Sequence, residues 1–400
     1  MTDTERLRPD AYFSQERFTL ERKTLFCDAW AFAGTTRDLK EPGDYRLTEV
    51  GASTLIVVLD KTGRLNAFQN FCRHRGSTLL DDPTGNVGGT IVCPYHRWTY
   101  GLDGALRGVP DMRTCFADLE RTKFGLKSAA VGVFKDLVFV NPDPDALFDD
   151  WIGPISDLAW PHDLFARDVK EAVPLVYDLK CNWKVFAENA VDGFHLAYLH
   201  ENTLGGPTPD KNVWERAGDH MIWYANENGV QHRLPQKIRE EAGLSGLIAS
   251  ASEPGYGGVY FLFPLTLIVP TPYGFSITSM KPCAPTRTRL EIRQWIGPWQ
   301  WSDERGSIPG YDKKTGVISS DNWTKPALET GDFQTEDIWI CEKTQRGLEM
   351  PGFEFGPLSR GPGAENPIRW FHESLTRDMN HRGQDLLFSR NERLLSDPSP

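Results

Sequence analysis

One stretch fixes what this chain can be. Residues 72–96 begin Cys72-Arg73-His74, run on for eighteen residues, and close with Cys93-Pro94-Tyr95-His96. Thiolates and imidazoles are the side chains that hold soft and borderline metals. A Cys and a His two or three residues apart let one tight loop present two ligands. The segment between returns a second loop to the same point. Gly76, Gly88 and Gly89 suit tight turns, and Trp98–Gly104 reads as strand, turn and strand.

Two metal sites compete for this pattern. A structural zinc would take all four ligands on one tetrahedral ion. A [2Fe–2S] centre of mixed ligation would put both Cys on one iron and both His on the other. Zinc motifs more often pair Cys with Cys and His with His. Here each loop would give one ligand to each iron, which favours the cluster. Cys72-Arg73-His74-Arg75-Gly76 with Cys93-Pro94-Tyr95-His96-Arg97-Trp98-Thr99-Tyr100 resembles the Rieske domain of the ring-hydroxylating non-haem iron oxygenases. The family's common version has Gly after the second His, where this chain has Arg97. That difference bears on how the cluster face meets a redox partner and leaves the four ligands as they are.

Four hundred residues exceed one small core and fit two domains. The net charge of −11 and pI near 5.4 argue against nucleic acid, which needs a basic footprint. They do not exclude an anionic small molecule, since a pocket's local field need not follow the net charge. The start Met-Thr-Asp-Thr-Glu-Arg has no basic or apolar region of a secretory signal. The longest apolar runs, such as Val259–Leu262, are far short of a membrane span. The expectation is a soluble, cytoplasmic protein with no membrane or nucleic-acid partner. Cys27, Cys115, Cys181, Cys283 and Cys341, scattered and leaderless, read as reduced thiols and as buried fillers.

Along the chain, residues 1–40 look helical, with Phe18, Leu20, Leu25 and Phe26 among charges. Strand signals follow from Tyr45 to Val140, which places a small all-β domain at 41–155. Trp151–Pro161 reads as a connector. The rest, 156–400, reads as an α+β domain. Its strands are expected at Ala172–Tyr177, Gly258–Phe263, Leu265–Val269, Phe275–Met280 and Arg289–Ile296. Its helices are expected from Asn182, from Gly331 to Gly347, and from Trp370 to about Leu395.

The second constellation is Glu188-Asn189-x-x-Asp192-x-Phe194-His195-x4-His200. Asp192 and His195, three apart, would share a helix face. His195 and His200, five apart, would point roughly 140° apart on an ideal helix, so one ion takes both only if the helix bends or ends. Two unrelated histidines, one in the core and one on the surface, remain open on these residues alone. Two His and a carboxylate would make the facial triad of Fe(II) oxygenases. With Asn182-Trp183-Lys184 ahead of it, the segment resembles the same family's mononuclear-iron motif.

The resemblance implies a small all-β Rieske domain and a helix-grip-like α+β catalytic domain, with residues 1–40 packing on the latter. It implies one [2Fe–2S] cluster on Cys72, His74, Cys93 and His96, and one Fe2+ on His195, His200 and a later carboxylate. That carboxylate matches Asp337, ahead of Gln345-Arg346-Gly347; Glu336, one residue out of phase, would point elsewhere, and Glu342 reads as a solvated acid. In the family the residue at Asp192 links an iron-binding His to a cluster His of the next subunit, which implies a trimer or an α3β3 oligomer. It further implies a terminal oxygenase fed from NAD(P)H through a separate reductase, with or without a ferredoxin. No Gly-x-Gly-x-x-Gly fingerprint occurs in the chain itself. The expected substrate is a small aromatic compound, with a quaternary ammonium compound as the alternative. Phe194, Tyr198, Trp214, Trp223, Tyr224, Tyr260, Phe261 and Phe263 are candidate lining, and Arg216 or Arg233 a carboxylate clamp. A non-catalytic electron carrier or zinc-binding protein is the reading from another class.

Overall fold

Apolar residues at alternating positions, broken by Gly, Asp and Asn, make the first part of the chain a set of short antiparallel strands. The computed structural model describes residues 6–156, 169–203, 213–224, 259–271, 274–296, 307–361 and 365–380. The chain divides into two compact units, Arg22–Ser156, and Met1–Glu21 with Asp157–Pro400.

The first unit carries β1 (Ala31–Thr35), β2 (Asp44–Val50), β3 (Ser53–Leu59), β4 (Leu65–Gln69), β5 (Thr84–Asn86), β6 (Thr90–Val92), β7 (Thr99–Gly101), β8 (Leu106–Gly108), β9 (Ser128–Phe134) and β10 (Leu137–Asn141). Seven of these form one sheet, in the order β1-β10-β9-β4-β3-β2-β5, while β6-β7-β8 form a second. The β2–β3 hairpin turns at Gly51, whose φ is +61° and whose missing Cβ would lie 2.4 Å from Phe26 Cβ; both conformation and space require glycine there. Ile91, Trp98, Tyr100, Leu102 and Leu106 close on Ile56, Val58 and Phe68 in one apolar cluster, and Cys72 and Cys93 belong to it. The ligand-bearing loops are therefore rooted in the unit's own core.

Two expectations need correction here. Residues 1–40 are helical at α1 (Gln15–Lys23), but Ala31–Thr35 form β1, pair with β10 and bury all five residues. Both faces of that strand are covered, so it shows no alternation to read. The unit accordingly begins at Arg22 and not at 41. After the short α2 (Met112–Cys115), Phe148–Ser156 form helix α3 where a connector was expected. Trp151 fixes it, stacked on Trp30 at 5.9 Å and against Phe139 at 5.1 Å. Residues 157–161 lie outside the described residues.

The second unit is α+β. Among its described residues nine strands form one sheet: β11 (Lys170–Glu171), β12 (Leu175–Leu179), β13 (Val213–Ala217), β14 (His220–Tyr224), β15 (Val259–Leu262), β16 (Thr266–Thr271), β17 (Gly274–Ala284), β18 (Arg287–Ile296) and β19 (Val317–Ser319). The path is β13-β14-β15-β16-β17-β18-β12-β19, with β11 on β18; only β12 and β19 run parallel. Helices α4 (Trp183–Ala190), α5 (Phe333–Leu348) and α6 (Asn366–Asn380) accompany it. Phe371 of α6 meets Trp183 of α4 edge-on at 5.7 Å and Phe261 of β15 at 5.8 Å, so helices and sheet share one core. The expected end of α6 near Leu395 lies outside the described residues. Among the described residues no helix is long and apolar enough to cross a membrane. Cys181 and Cys341 are buried as expected, but Cys27, Cys115 and Cys283 are exposed. At Cys27 the neighbours Leu25 and Phe26 take the interior positions of the turn.

Asn182-Trp183-Lys184 each have a structural task. Asn182 caps α4 by accepting from Lys184 N at 3.0 Å, and its own N–H donates to Gln345 Oε1 at 2.8 Å. Trp183 Nε1 and Lys184 Nζ donate to the two oxygens of Glu21, at 2.9 and 2.6 Å, where Glu21 and Lys184 are wholly buried. Burial pushes the Lys184 ammonium down, and Glu21 opposes this. Removing one member of such a pair strands the other, at a cost of about 3–5 kcal/mol. Glu21→Ala should therefore lower the urea midpoint of the second unit's transition sharply. Glu21→Leu with Lys184→Met should recover most of it. An E21A protein as stable as wild type would contradict this account.

Two candidate metal centres

The two loops of the first unit are built alike. Cys72 N donates to Ser77 O at 2.8 Å and Cys93 N to Trp98 O at 2.8 Å, each five residues on. Gly76 N donates to Cys72 O at 2.9 Å and Arg97 N to Cys93 O at 3.1 Å, each four residues on. The fourth residue closes both turns with positive φ, +74° at Gly76 and +59° at Arg97. Arg97 thus stands in a backbone conformation suited to glycine, which is the physical content of its departure from the family pattern.

These turns bring two thiols and two imidazoles together in an ordered way. Cys72 and Cys93 are buried, while His74 and His96 are half-buried with ring centroids 4.7 Å apart. Trp98 stacks on His74 at 4.9 Å, and Tyr95 lies against His96 at 3.6 Å. Tyr100 Oη is 3.2 Å from Cys72 Sγ and accepts from Arg73 N at 3.0 Å. Burial pushes the Cys72 thiol up and, with help from His96 and Arg75, the His74 imidazolium down. The Nδ1 atoms of His74 and His96 are both buried without a hydrogen-bond partner. Two soft sulfurs in the core and two orphaned ring nitrogens beside them are the donor set a [2Fe–2S] centre of mixed ligation takes. The residues fit the group.

The second centre starts where α4 stops. The helix ends at Ala190, and His195–Ala197 form a separate 3-10 turn, so Asp192 and His195 are not on one helix face as expected. The break removes the roughly 140° separation that an unbroken helix would impose on His195 and His200. Their rings come within 5.1 Å. Asp337, in α5, meets both: its Oδ1 is 3.4 Å from His195 Nε2 and 3.1 Å from His200 Nε2. Ligand atoms of the three residues all lie within 4.8 Å of one another.

The outer nitrogens are occupied too. Asp192 Oδ2 lies 3.3 Å from His195 Nδ1, and its Oδ1 accepts from Phe194 N at 2.7 Å. Glu336 Oε2 lies 2.7 Å from His200 Nδ1. Burial pushes both imidazoliums down, but hydrogen bonds to Asp192 and Asp337 carry His195 up to about 10, and Asp337 and Glu336 raise His200. Burial pushes Asp337 up, and the two histidines outweigh it and hold it below the usual carboxylate range. The pocket is thus one that stabilises positive charge at the meeting point of three ligand atoms. Two imidazoles and one carboxylate suit Fe2+ with open positions, so these residues also fit.

Other expected residues fall elsewhere. Glu336 does not point away; it reaches round α5 to His200. Glu342, read as solvated, is buried and accepts from Lys180 N at 3.1 Å and Ser320 Oγ at 3.0 Å. Arg216 is no free clamp, since Glu373 holds it at 2.5 Å; Arg233 lies outside the described residues. Trp223, Tyr260, Phe261 and Phe263 are buried, Trp214 half-buried, and Phe194 and Tyr198 flank the His195 turn with rings 5.6 Å apart. The side chain of Tyr224 lies outside the described residues. Thr203, Tyr100 and Trp98 have contacts at the two centres that spacing alone did not assign.

Comparison with known proteins agrees with this division. Residues 29–128 match the Rieske [2Fe-2S] domain, and residues 166–381, more than half of the chain, match the ring hydroxylating alpha subunit (catalytic domain). The glycine betaine monooxygenase oxygenase subunit of Chromohalobacter salexigens is 34% identical over 92% of this chain and 85% of its own. The chloroplastic choline monooxygenase of Beta vulgaris is 28% identical over 92% and 76%. Among solved structures, the quaternary ammonium Rieske monooxygenase CntA in complex with an inhibitor aligns with a TM-score of 0.71 at 20% identity, over 94% of this chain and 95% of that one. At that identity the likeness carries the fold alone.

Arg97 offers a direct check on the loop geometry. Arg97→Gly should stabilise the first unit by about 0.5–1 kcal/mol, the left-handed penalty less glycine's entropy cost, as read from its thermal transition. A clear loss of stability would mean that the Arg97 side chain makes contacts outweighing its strain.

Proposed function

The chain belongs to the Rieske ring-hydroxylating oxygenases, and from that premise we propose that it is the terminal oxygenase of a monooxygenase for a small quaternary ammonium compound. The observation that carries this reading is the pair of relatives matched over nearly the whole chain, whose names give glycine betaine and choline as their substrates. The aromatic substrate expected from the sequence has the weaker support. A non-catalytic carrier would have no use for this second constellation.

In this reading Cys72, His74, Cys93 and His96 hold the cluster, and His195, His200 and Asp337 hold the iron. When bound, these groups supply one-electron transfer and dioxygen activation. Asp192 orients His195 and, across a subunit contact in a trimeric assembly, links it to a cluster histidine of the next copy. Electrons come from NAD(P)H through a separate reductase. The balance is R–H + O2 + 2e− + 2H+ giving R–OH + H2O. Hydroxylation of an N-methyl carbon would release formaldehyde, and hydroxylation of a carbinol carbon would give an aldehyde.

The test is oxygen uptake by the reconstituted holoenzyme with NADH and a compatible reductase, offered glycine betaine, choline and simple aromatics. We expect uptake matched by aldehyde or formaldehyde with an N-trimethyl compound. Coupled turnover of an aromatic, and of no N-trimethyl compound, would sink the proposal. His195→Ala should lose at least 100-fold in product formation and keep the visible spectrum of the cluster; retained activity would remove His195 from the iron.

A further inference from the structure

His200 is gripped at both ring nitrogens by consecutive residues of α5. Asp337 Oδ1 lies 3.1 Å from Nε2, and Glu336 Oε2 lies 2.7 Å from Nδ1. Neighbours on a helix point about 100° apart, and the His200 ring spans that gap, with one nitrogen at each carboxylate. Glu336 is 2% exposed and His200 1%. The same Glu336 oxygen accepts from Thr203 Oγ1 at 2.6 Å. A carboxylate this deep is costly unless its partners are fixed. The other carboxylate is different: Asp192 meets His195 at the longer 3.3 Å, and both side chains are partly exposed, at 17% and 18%.

We infer that Glu336 is the residue that positions His200 at the iron centre. It takes the Nδ1–H of His200, which fixes the tautomer so that the Nε2 lone pair faces the metal, and it makes that nitrogen a stronger donor. Thr203 donates to the same carboxylate oxygen and holds it there. Asp192 cannot substitute, since it serves the other histidine. The inference rests on His195, His200 and Asp337 being the iron ligands, and the experiment separates the two claims.

Protein stripped of mononuclear iron, with the cluster intact, is titrated anaerobically with Fe2+ against a chromophoric chelator. Wild type is compared with Glu336→Gln, Thr203→Val and Asp337→Ala, and each is melted with and without iron. E336Q should bind iron about 10–100-fold more weakly, with T203V shifted less in the same direction. In both, the rise in melting temperature on adding iron should shrink while the iron-free transition stays near wild type. E336Q binding iron as wild type does, while D337A loses it, overturns the role of Glu336 alone. D337A binding iron as wild type does overturns the ligand assignment as well. Equal losses of melting temperature with and without iron make Glu336 merely structural and also overturn the inference. Should E336Q fail to fold, T203V decides by the same readouts.

Discussion

Asp337 has to reach two histidines that precede it by more than 130 residues, and the join between α4 and α5 is what brings it there. Closing a loop of that length costs on the order of 4 kcal/mol in chain entropy. The offset comes from a seam of buried polar bonds set in apolar packing. Asn182 N donates to Gln345 Oε1, Lys180 N and Ser320 Oγ donate to Glu342, and Cys341 packs at Val185 O. Gln345 also donates to Tyr12 O, which ties in the start of the chain. These bonds are buried or partly buried, so they are expensive to leave unmade, and together they favour one register of the two helices. That register sets where Asp337 and Glu336 stand relative to His200.

What the sequence made legible is what local spacing determines. Cys72, His74, Cys93 and His96 sit in tight turns, so their convergence follows from short-range geometry. The strands β15 to β18 follow from apolar runs and alternation, and the helix α5 was expected from Gly331 to Gly347, close to its observed bounds. What stayed hidden depends on partners far away in the chain. β1 is apolar on both faces because other elements cover both. Glu342 and Glu336 look like ordinary surface acids until Lys180 and His200 are brought to them. The break after Ala190 is different, because its cause is local. Gly193 follows Asp192 in the break, and Asp192 accepting from Phe194 N stabilises the turn. Sequence spacing showed that His195 and His200 could not share a straight helix. Substrate choice was less legible still, because the aromatic residues proposed as lining are mostly core.

The two centres solve one problem in the same way. Each must hold its donors rigidly and yet exchange electrons with something outside itself. In the first unit the thiols are buried and the imidazoles reach the surface. In the second, His200 and Glu336 are buried, while His195 and Asp192 are partly exposed. Rigid donors need the dry interior, where unpaired groups are penalised and hydrogen bonds are strong. Electron exchange needs a short path to a partner, and hence an exposed edge. Both centres therefore have an inner half that sets geometry and an outer half built of imidazole, with a carboxylate beside it at the iron. Arg97 belongs to the outer half of the first. Its left-handed backbone conformation costs stability at a place where glycine would stand without strain.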